Sequence, residues 1–262
     1  MLDTEKCKNR FLEYVNEFDK TNELIFRKIV HTLGVAEYSK EIAISLGLNE
    51  EQVNLAYIIG ILHDIGRFRQ IVETGTYSDR GGINHTEMGL KILFEENMIV
   101  EFVDTREYDE IIKDSIGNHS LFKIKDGLDD GVLIFAKIIR DADKLDIFKI
   151  FIYDDPVKLG MDSGYKDTDE YTEEVLLAYY EGKQLDRSHL KHLFDWYINM
   201  IAFVFDLYYK KSFEILRKEE YLDKIFKIII NKKSYNEKLT NVLFNMKIYI
   251  DKYFDNRLLE IK

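Results

Sequence analysis

Imidazole and carboxylate recur in this sequence at positions where packing alone gives them no reason to stand. His31 shares a helical stripe with Val35, Tyr38 and Ile42. His63 falls one turn after Ile59, in a segment almost continuously apolar from Leu55 to Leu62, and Asp64 follows it directly. His85 precedes Met88 and Ile92, His119 follows Ile112, Ser115 and Ile116, and Asp143 extends the run Val132, Phe135, Ala136 and Ile139. Helical periodicity turns each of these side chains toward the interior of a bundle. A single inward histidine reads as an ordinary core residue. Burying a carboxylate, however, costs several kcal/mol unless it is paired or bound to a metal. Two aspartates and four imidazoles on separate helices are unfavourable alone and favourable around a divalent cation.

The elements that must position these residues are helices. The chain has 262 residues, a single proline (Pro156) and 14 glycines, too few turn formers for a sandwich or barrel, and its 46% apolar content can fill a sizeable core. Apolar spacing predicts helices over 22–46, 50–64, 86–96, 108–119, 131–152, 169–182, 188–217, 220–231 and 235–258. Gly47 closes the first of these, Asn49 caps the next, and Asn84 with Glu87 reads as a helix cap. Residues 66–84 and 154–169 read as loops. The acidic spacing of the second lacks the glycine a calcium loop needs. A metal-binding helical domain is expected over 1–168, with a helical extension over 169–262. In the extension, His189 and His192 read as surface or core residues. Trp196, Phe203, Phe205, Tyr208 and Tyr209 read as core or as an oligomer contact.

The net charge of −11 argues against a nucleic-acid polymer as partner, since no basic stripe offsets it. The lone Cys7 has no disulfide partner in the chain, the opening MLDTEKCKNR carries no apolar signal core, and the run Ile198 to Leu207 is too short to span a bilayer. The expectation is a cytoplasmic protein with no membrane association, possible as a homo-oligomer.

The order of these residues is specific: His31, the doublet His63-Asp64, then His85, His119 and Asp143. With the segments ILHDIGRF (61–68), NHTEMG (84–89), IGNHS (116–120) and RDADKLD (140–146), it resembles the HD-domain superfamily of metal-dependent phosphohydrolases. The resemblance covers roughly residues 22–152 and implies an all-α HD-domain bundle with additional C-terminal helices. It implies one ion held by His31, His63, Asp64 and Asp143, and a second held by His85 and His119, with Asp64 bridging both. Asp143 is the ligand within RDADKLD, leaving Asp141 and Asp146 for caps, ion pairs or support of the ligands. Mixed nitrogen and oxygen ligation suits Mn, Fe, Co, Ni or Zn better than calcium. Two such ions about 3.5–4 Å apart can activate a water and clamp an anionic substrate.

Arg67, Arg69 and Lys144 are the cations beside these motifs. A helical neighbour of a ligand is rotated about 100° away from it, so not all three can face the site. Arg67 and Lys144, together with Asp64, are assigned the catalytic work, either cation being able to stabilise charge on phosphoryl oxygens. Tyr77 and Asn118 join Arg67 and Lys144 as candidate substrate contacts. The expected activity is hydrolysis of a small phosphate ester or anhydride. A nucleotide is favoured, and specifically a polyphosphate-bridged dinucleotide, because the ligand pattern resembles the enzymes that split diadenosine tetraphosphate. The HH pair and GYP signature of cyclic-di-GMP phosphodiesterases are missing. The same six ligands also occur in di-iron HD oxygenases similar to myo-inositol oxygenase, and a non-catalytic nucleotide sensor is a third reading.

Overall fold

The computed structural model describes residues 2–77, 79, 82, 84–154, 164–232 and 235–261. It is all-α: among the described residues no strand forms, and the one extended pairing is an isolated bridge between Lys166 and His192. No described helix is long and apolar enough to cross a membrane. The chain divides into two compact units, Met1–Asp146 and Ile147–Lys262. The division falls inside a helix rather than at 168, in the proline-bearing stretch that sequence punctuation suggests. Residues 155–163 of that stretch lie outside the described residues.

In the first unit, α1 (Thr4–Val15) is capped by Asp3, α2 (Glu23–Ser45) by Asn22, and α3 (Glu50–Leu62) by a reciprocal Asn49–Gln52 box. The side-chain oxygens of these caps satisfy N–H groups that a helix start leaves without partners. From Leu55 to Leu62 every residue of α3 is buried, which explains the unbroken apolar run. Helices α1, α2 and α7 (Asp109–His119) all pack against α3, so no face of the Leu55–Leu62 run meets water. Burial of each large aliphatic side chain there contributes about 1.5–3 kcal/mol. Helix α4 (Ile65–Thr74) packs on α5 (His85–Leu90), which Asn84 caps as the sequence suggests and which runs on as a π turn, Lys91–Glu95. A short α6 (Ile99–Phe102) precedes α7, and α8 (Asp130–Tyr153) follows it.

Three described helices escape the periodicity reading, the four-residue α6 among them. Helix α4 occupies the first half of the expected 66–84 loop. It buries Ile65, Phe68 and Ile71 on one side, a repeat obscured by the intervening Gly66, Arg67, Arg69 and Gln70. Helix α1 buries Cys7, Phe11, Tyr14 and Val15. Phe11, Tyr14 and Phe18 surround the Phe68 ring, with centroids 5.6–6.1 Å away.

The second unit contains α9 (Glu173–Tyr180), α10 (Leu193–Ala202), α11 (Lys210–Lys218), α12 (Tyr221–Lys232) and α13 (Glu237–Glu260). The helix expected over 188–217 is broken twice, with 3-10 turns at Arg187–His189 and Phe203–Asp206. The first break is set by Asp195, whose carboxylate folds back onto the backbone N–H groups of Lys191 and His192. Tyr179, Phe205, Tyr249 and Tyr253 form an aromatic cluster in this unit. Of the aromatic run, Trp196 and Phe203 are buried, while Phe205, Tyr208 and Tyr209 are half-buried.

Candidate metal centre

The six ligand candidates come from five helices or their ends, all in the first unit. His31 lies in mid α2, His63 is the C-cap of α3 and Asp64 follows it, His85 opens α5, His119 ends α7, and Asp143 lies on α8. The four histidines are between 0 and 4% exposed, and Asp64 is 4% exposed.

Each imidazole is fixed through Nδ1. His63 Nδ1 donates to Gly60 O at 2.8 Å and His119 Nδ1 to Ile116 O at 2.7 Å. His31 Nδ1 donates to Asp146 Oδ2 at 2.7 Å and His85 Nδ1 to Asp79 Oδ1 at 2.9 Å. Carbonyls and carboxylates accept only, so a proton sits on each Nδ1, and in the neutral ring Nε2 presents a lone pair.

Those Nε2 atoms gather around Asp64. Its Oδ2 is 3.3 Å from His63 Nε2 and 3.7 Å from His31 Nε2. Its Oδ1 is 3.4 Å from His85 Nε2 and 3.7 Å from His119 Nε2. Asp143 Oδ1 lies 3.1 Å from His31 Nε2 and 3.9 Å from His63 Nε2. His85 and His119 bring their Nε2 atoms within 3.3 Å of each other. Two groups result, His31–His63–Asp64 and Asp64–His85–His119, each compact enough for one ion.

The chemistry of this donor set supplies the fit test. His63 Nε2 and Asp64 Oδ1 are buried with no hydrogen-bond partner, although each faces polar atoms. Most of those facing atoms are imidazole and carboxylate acceptors, and the nearby cations are Lys28 Nζ on Asp64 Oδ2 and Arg67 Nε, 3.7 Å from Asp64 Oδ1. Ligands held about 2.1 Å from one ion stand about 3.0–3.4 Å apart, which is the spacing of the shorter contacts here. A divalent cation fits each group.

At His63, His85, Asp64 and Asp143 protonation favours the same reading, and at His31 it runs the other way. Burial pushes His63 below its ordinary value and His85 down to about 4. Burial alone would raise the Asp64 carboxyl, but the Lys28 ammonium and the His63 imidazole hold it well below the usual range. Asp143 is held low against burial by His31. His31 itself is lifted above its ordinary value, against burial and the Lys28 charge, by Asp143 and Asp146.

Several residues outside the ligand set hold it in place. Gly34 leaves room for Asp146 to reach His31: a Cβ there would lie 2.2 Å from Asp146 Oδ1. Gly66 lets α4 close on α5, since its Cβ would lie 2.2 Å from the His85 carbonyl oxygen. Arg140, 1% exposed, donates to the carbonyls of Asn118, His119, Leu121 and Phe122 at 2.6–3.3 Å. These are the carbonyls a helix end leaves without partners, so Arg140 fixes the turn that carries His119.

The residues proposed for substrate are placed unevenly. Arg67 Nη1 donates to Gln70 Oε1, the Tyr77 carbonyl and Asp79 Oδ1, while its Nε is buried without a partner 3.7 Å from Asp64 Oδ1. Lys144 is buried beside Asp143 on α8. The Tyr77 hydroxyl donates to the Leu24 carbonyl at 2.6 Å. The Asn118 amide is engaged by backbone at both ends, donating to Asp114 O and accepting from Lys125 N–H. Arg69 pairs with Glu96 through two 2.7 Å contacts instead of facing the site. His189 is exposed, and His192 Nδ1 lies 2.8 Å from Thr168 Oγ1.

Sequence reasoning passed over two participants. Asp79, in the loop before α5, orients His85 and also accepts from Gln70 Nε2 at 2.8 Å. Lys28, one turn before His31 on α2, places Nζ 2.7 Å from Asp64 Oδ2. Its position three residues ahead of a ligand, on the same helical face, was the available signal.

Residues 29–147 match the family model described as HD domain, a span that contains all six ligand candidates. This stretch is therefore similar to the HD domain, and the rest of the chain lies outside the match. No curated protein and no solved structure matches the chain significantly.

Proposed function

We propose that this protein hydrolyses a small phosphate ester or anhydride, a nucleotide or dinucleotide, at a two-ion site. The observation that carries the proposal is the division of Asp64, one carboxylate oxygen toward His31 and His63 and the other toward His85 and His119. Divalent ions held there would supply an activated water and neutralise charge developing on phosphoryl oxygens. The remaining work falls to the chain. Asp146, Gly60, Asp79 and Ile116 keep the imidazoles in the ligating tautomer by accepting from Nδ1. Arg67 contributes a guanidinium whose Nε lies 3.7 Å from Asp64 Oδ1 with no hydrogen bond, while Asp79 and Gln70 restrain Nη1. Lys144, beside Asp143, is the second cation assigned to the substrate.

The test is a panel of nucleotides, dinucleoside polyphosphates and aryl phosphates, assayed with chelated protein before and after addition of Mn(II), Co(II), Ni(II) or Fe(II). Metal-dependent release of phosphate or a nucleotide product is expected. Oxygen uptake with Fe(II), and no hydrolysis with any metal, would replace this reading by the oxygenase one. Tight nucleotide binding without turnover would replace it by the sensor.

A further inference from the structure

We propose that Lys28 is a tethered cation with two stations: it sits on Asp64 when the site holds no metal, and it binds an anionic oxygen of the substrate when metal displaces it. The second station rests on the phosphohydrolase reading above.

The first station is observed. Lys28 Nζ contacts Asp64 Oδ2 at 2.7 Å. That oxygen is also the one nearest His31 and His63. The cluster is otherwise built mainly from acceptors, with Arg67 Nε farther off at 3.7 Å from Asp64 Oδ1, so the ammonium supplies the close positive charge that a buried carboxylate requires. An ion in the His31–His63–Asp64 group would take over that role. Two cations sharing one carboxylate oxygen repel each other across a site with little water to screen them. Metal entry therefore works against the Lys28 contact, and the Lys28 contact works against metal entry.

The second station follows from where Lys28 stands and what restrains it. The Lys28 side chain is 15% exposed and that of Asp143 19%, whereas those of Asp64 and His31 are 5% and 1% exposed. Lys28 and Asp143, with Arg67 at 14%, thus mark the part of the centre nearest solvent, which a ligand must cross. Apart from Asp64, Lys28 rests on the Tyr77 ring, with Nζ 5.3 Å from its centroid. Tyr77 is in turn anchored through its hydroxyl to the Leu24 carbonyl, one turn earlier on the same helix. A displaced ammonium so restrained stays at the mouth of the site with its donors free, on a flexible four-carbon stem. Arg67 is less able to move, because Gln70, Asp79 and the Tyr77 carbonyl hold its Nη1. This arrangement also assigns Tyr77 a part: its ring guides Lys28, and its hydroxyl does not reach for substrate.

The two stations make opposite demands on one substitution. Lys28→Met keeps the apolar stem over Tyr77 and removes the charge. Calorimetric titration of the chelated full-length protein with Mn(II) should show binding tightened by about tenfold relative to wild type. Titration of the Mn(II)-loaded protein with inorganic phosphate should show binding weakened by about tenfold. Lys28→Arg, which retains the charge, should remain near wild type in phosphate binding, and circular dichroism confirms that each variant is folded. Weaker or unchanged Mn(II) binding by Lys28→Met would overturn the proposal, since Lys28 would then support Asp64 rather than compete for it. Tighter Mn(II) binding with unchanged phosphate binding would overturn the second station. Wild-type protein that takes up Mn(II) but no phosphate would count against the phosphohydrolase reading and remove the second station with it. The Mn(II) comparison would still decide the first.

Discussion

Asp64 and Asp195 are both buried aspartates, at 4% and 0% exposure, one in each compact unit. Their surroundings are opposite. Asp195 accepts from Thr172 N–H and Thr172 Oγ1, both at 2.7 Å, and from the N–H groups of Lys191 and His192 at 2.9 and 3.0 Å. Every one of those neighbours is a donor, and the carboxylate is satisfied by the fold itself. Asp64 is ringed by four imidazole Nε2 atoms, with the Lys28 ammonium as its close cation and Arg67 Nε 3.7 Å away. Burial alone does not distinguish a structural carboxylate from a ligand. What distinguishes them is whether the facing atoms donate, which closes a knot, or accept, which leaves a place for a cation.

The largest effect should come from exchanging these two residues for alanine in turn. Asp64→Ala is expected to deplete both ions and lower activity by several orders of magnitude, read by elemental analysis and turnover on the same sample. The comparison breaks if that variant retains its metal. Asp195→Ala should do the reverse, leaving several buried donors without an acceptor. A stability loss of about 3 kcal/mol or more in chemical denaturation is expected, with metal content unchanged. Metal loss in folded Asp195→Ala would contradict its purely structural assignment.

A smaller effect should follow from loosening one imidazole. Asp79→Ala leaves His85 Nδ1 without its carboxylate, so affinity for one of the two ions should fall about 10–100-fold while the other is retained. Titration with Mn(II) should therefore change from one steep uptake to two separated steps; an unaltered isotherm would show that Asp79 is not needed to orient His85. The smallest effect is expected at Gly34. An added methyl must push Asp146 away from His31, a crowding that costs about 1–3 kcal/mol in a packed interior. Thermal melts of the chelated protein would measure that cost, and a melt identical to wild type would show that α2 and α8 shift apart freely.

His31, His119 and Asp143 were legible in the sequence because each is the inward residue of a periodic helix, where spacing fixes direction. His63, Asp64 and His85 stand at helix ends and were read from the doublet and the order of the motifs. His31 with Val35, Tyr38 and Ile42 is one such stripe, and Asp143 after Ala136 and Ile139 is another. The cap at Asn84 was legible for a similar reason, since its hydrogen bonds run to Thr86 and Glu87 nearby in the chain. What escaped depends on contacts distant in sequence. Asp79 lies in a polar loop with no period, and only the fold brings it to His85. Arg140 reads as one charge among several in RDADKLD until α8 is laid against the end of α7. Gly34 and Gly66 each stand three residues after a ligand histidine inside a helix, where glycine costs about 1 kcal/mol relative to alanine. That penalty was a readable hint of close packing. The break at Leu190–His192 was hidden because Asp195 resembles an ordinary polar residue in an aromatic helix until its acceptor role is seen.

The central claim is that one carboxylate serves two separate ion sites, and metal stoichiometry tests it most directly. Wild-type protein and His119→Ala should be chelated, reconstituted anaerobically with Fe(II) or Mn(II), and analysed for metal per folded chain. About two ions are expected in the wild type and about one in the variant, because His119 faces only the group that Asp64 shares with His85. Two ions in both proteins, or one ion in both, would contradict the account.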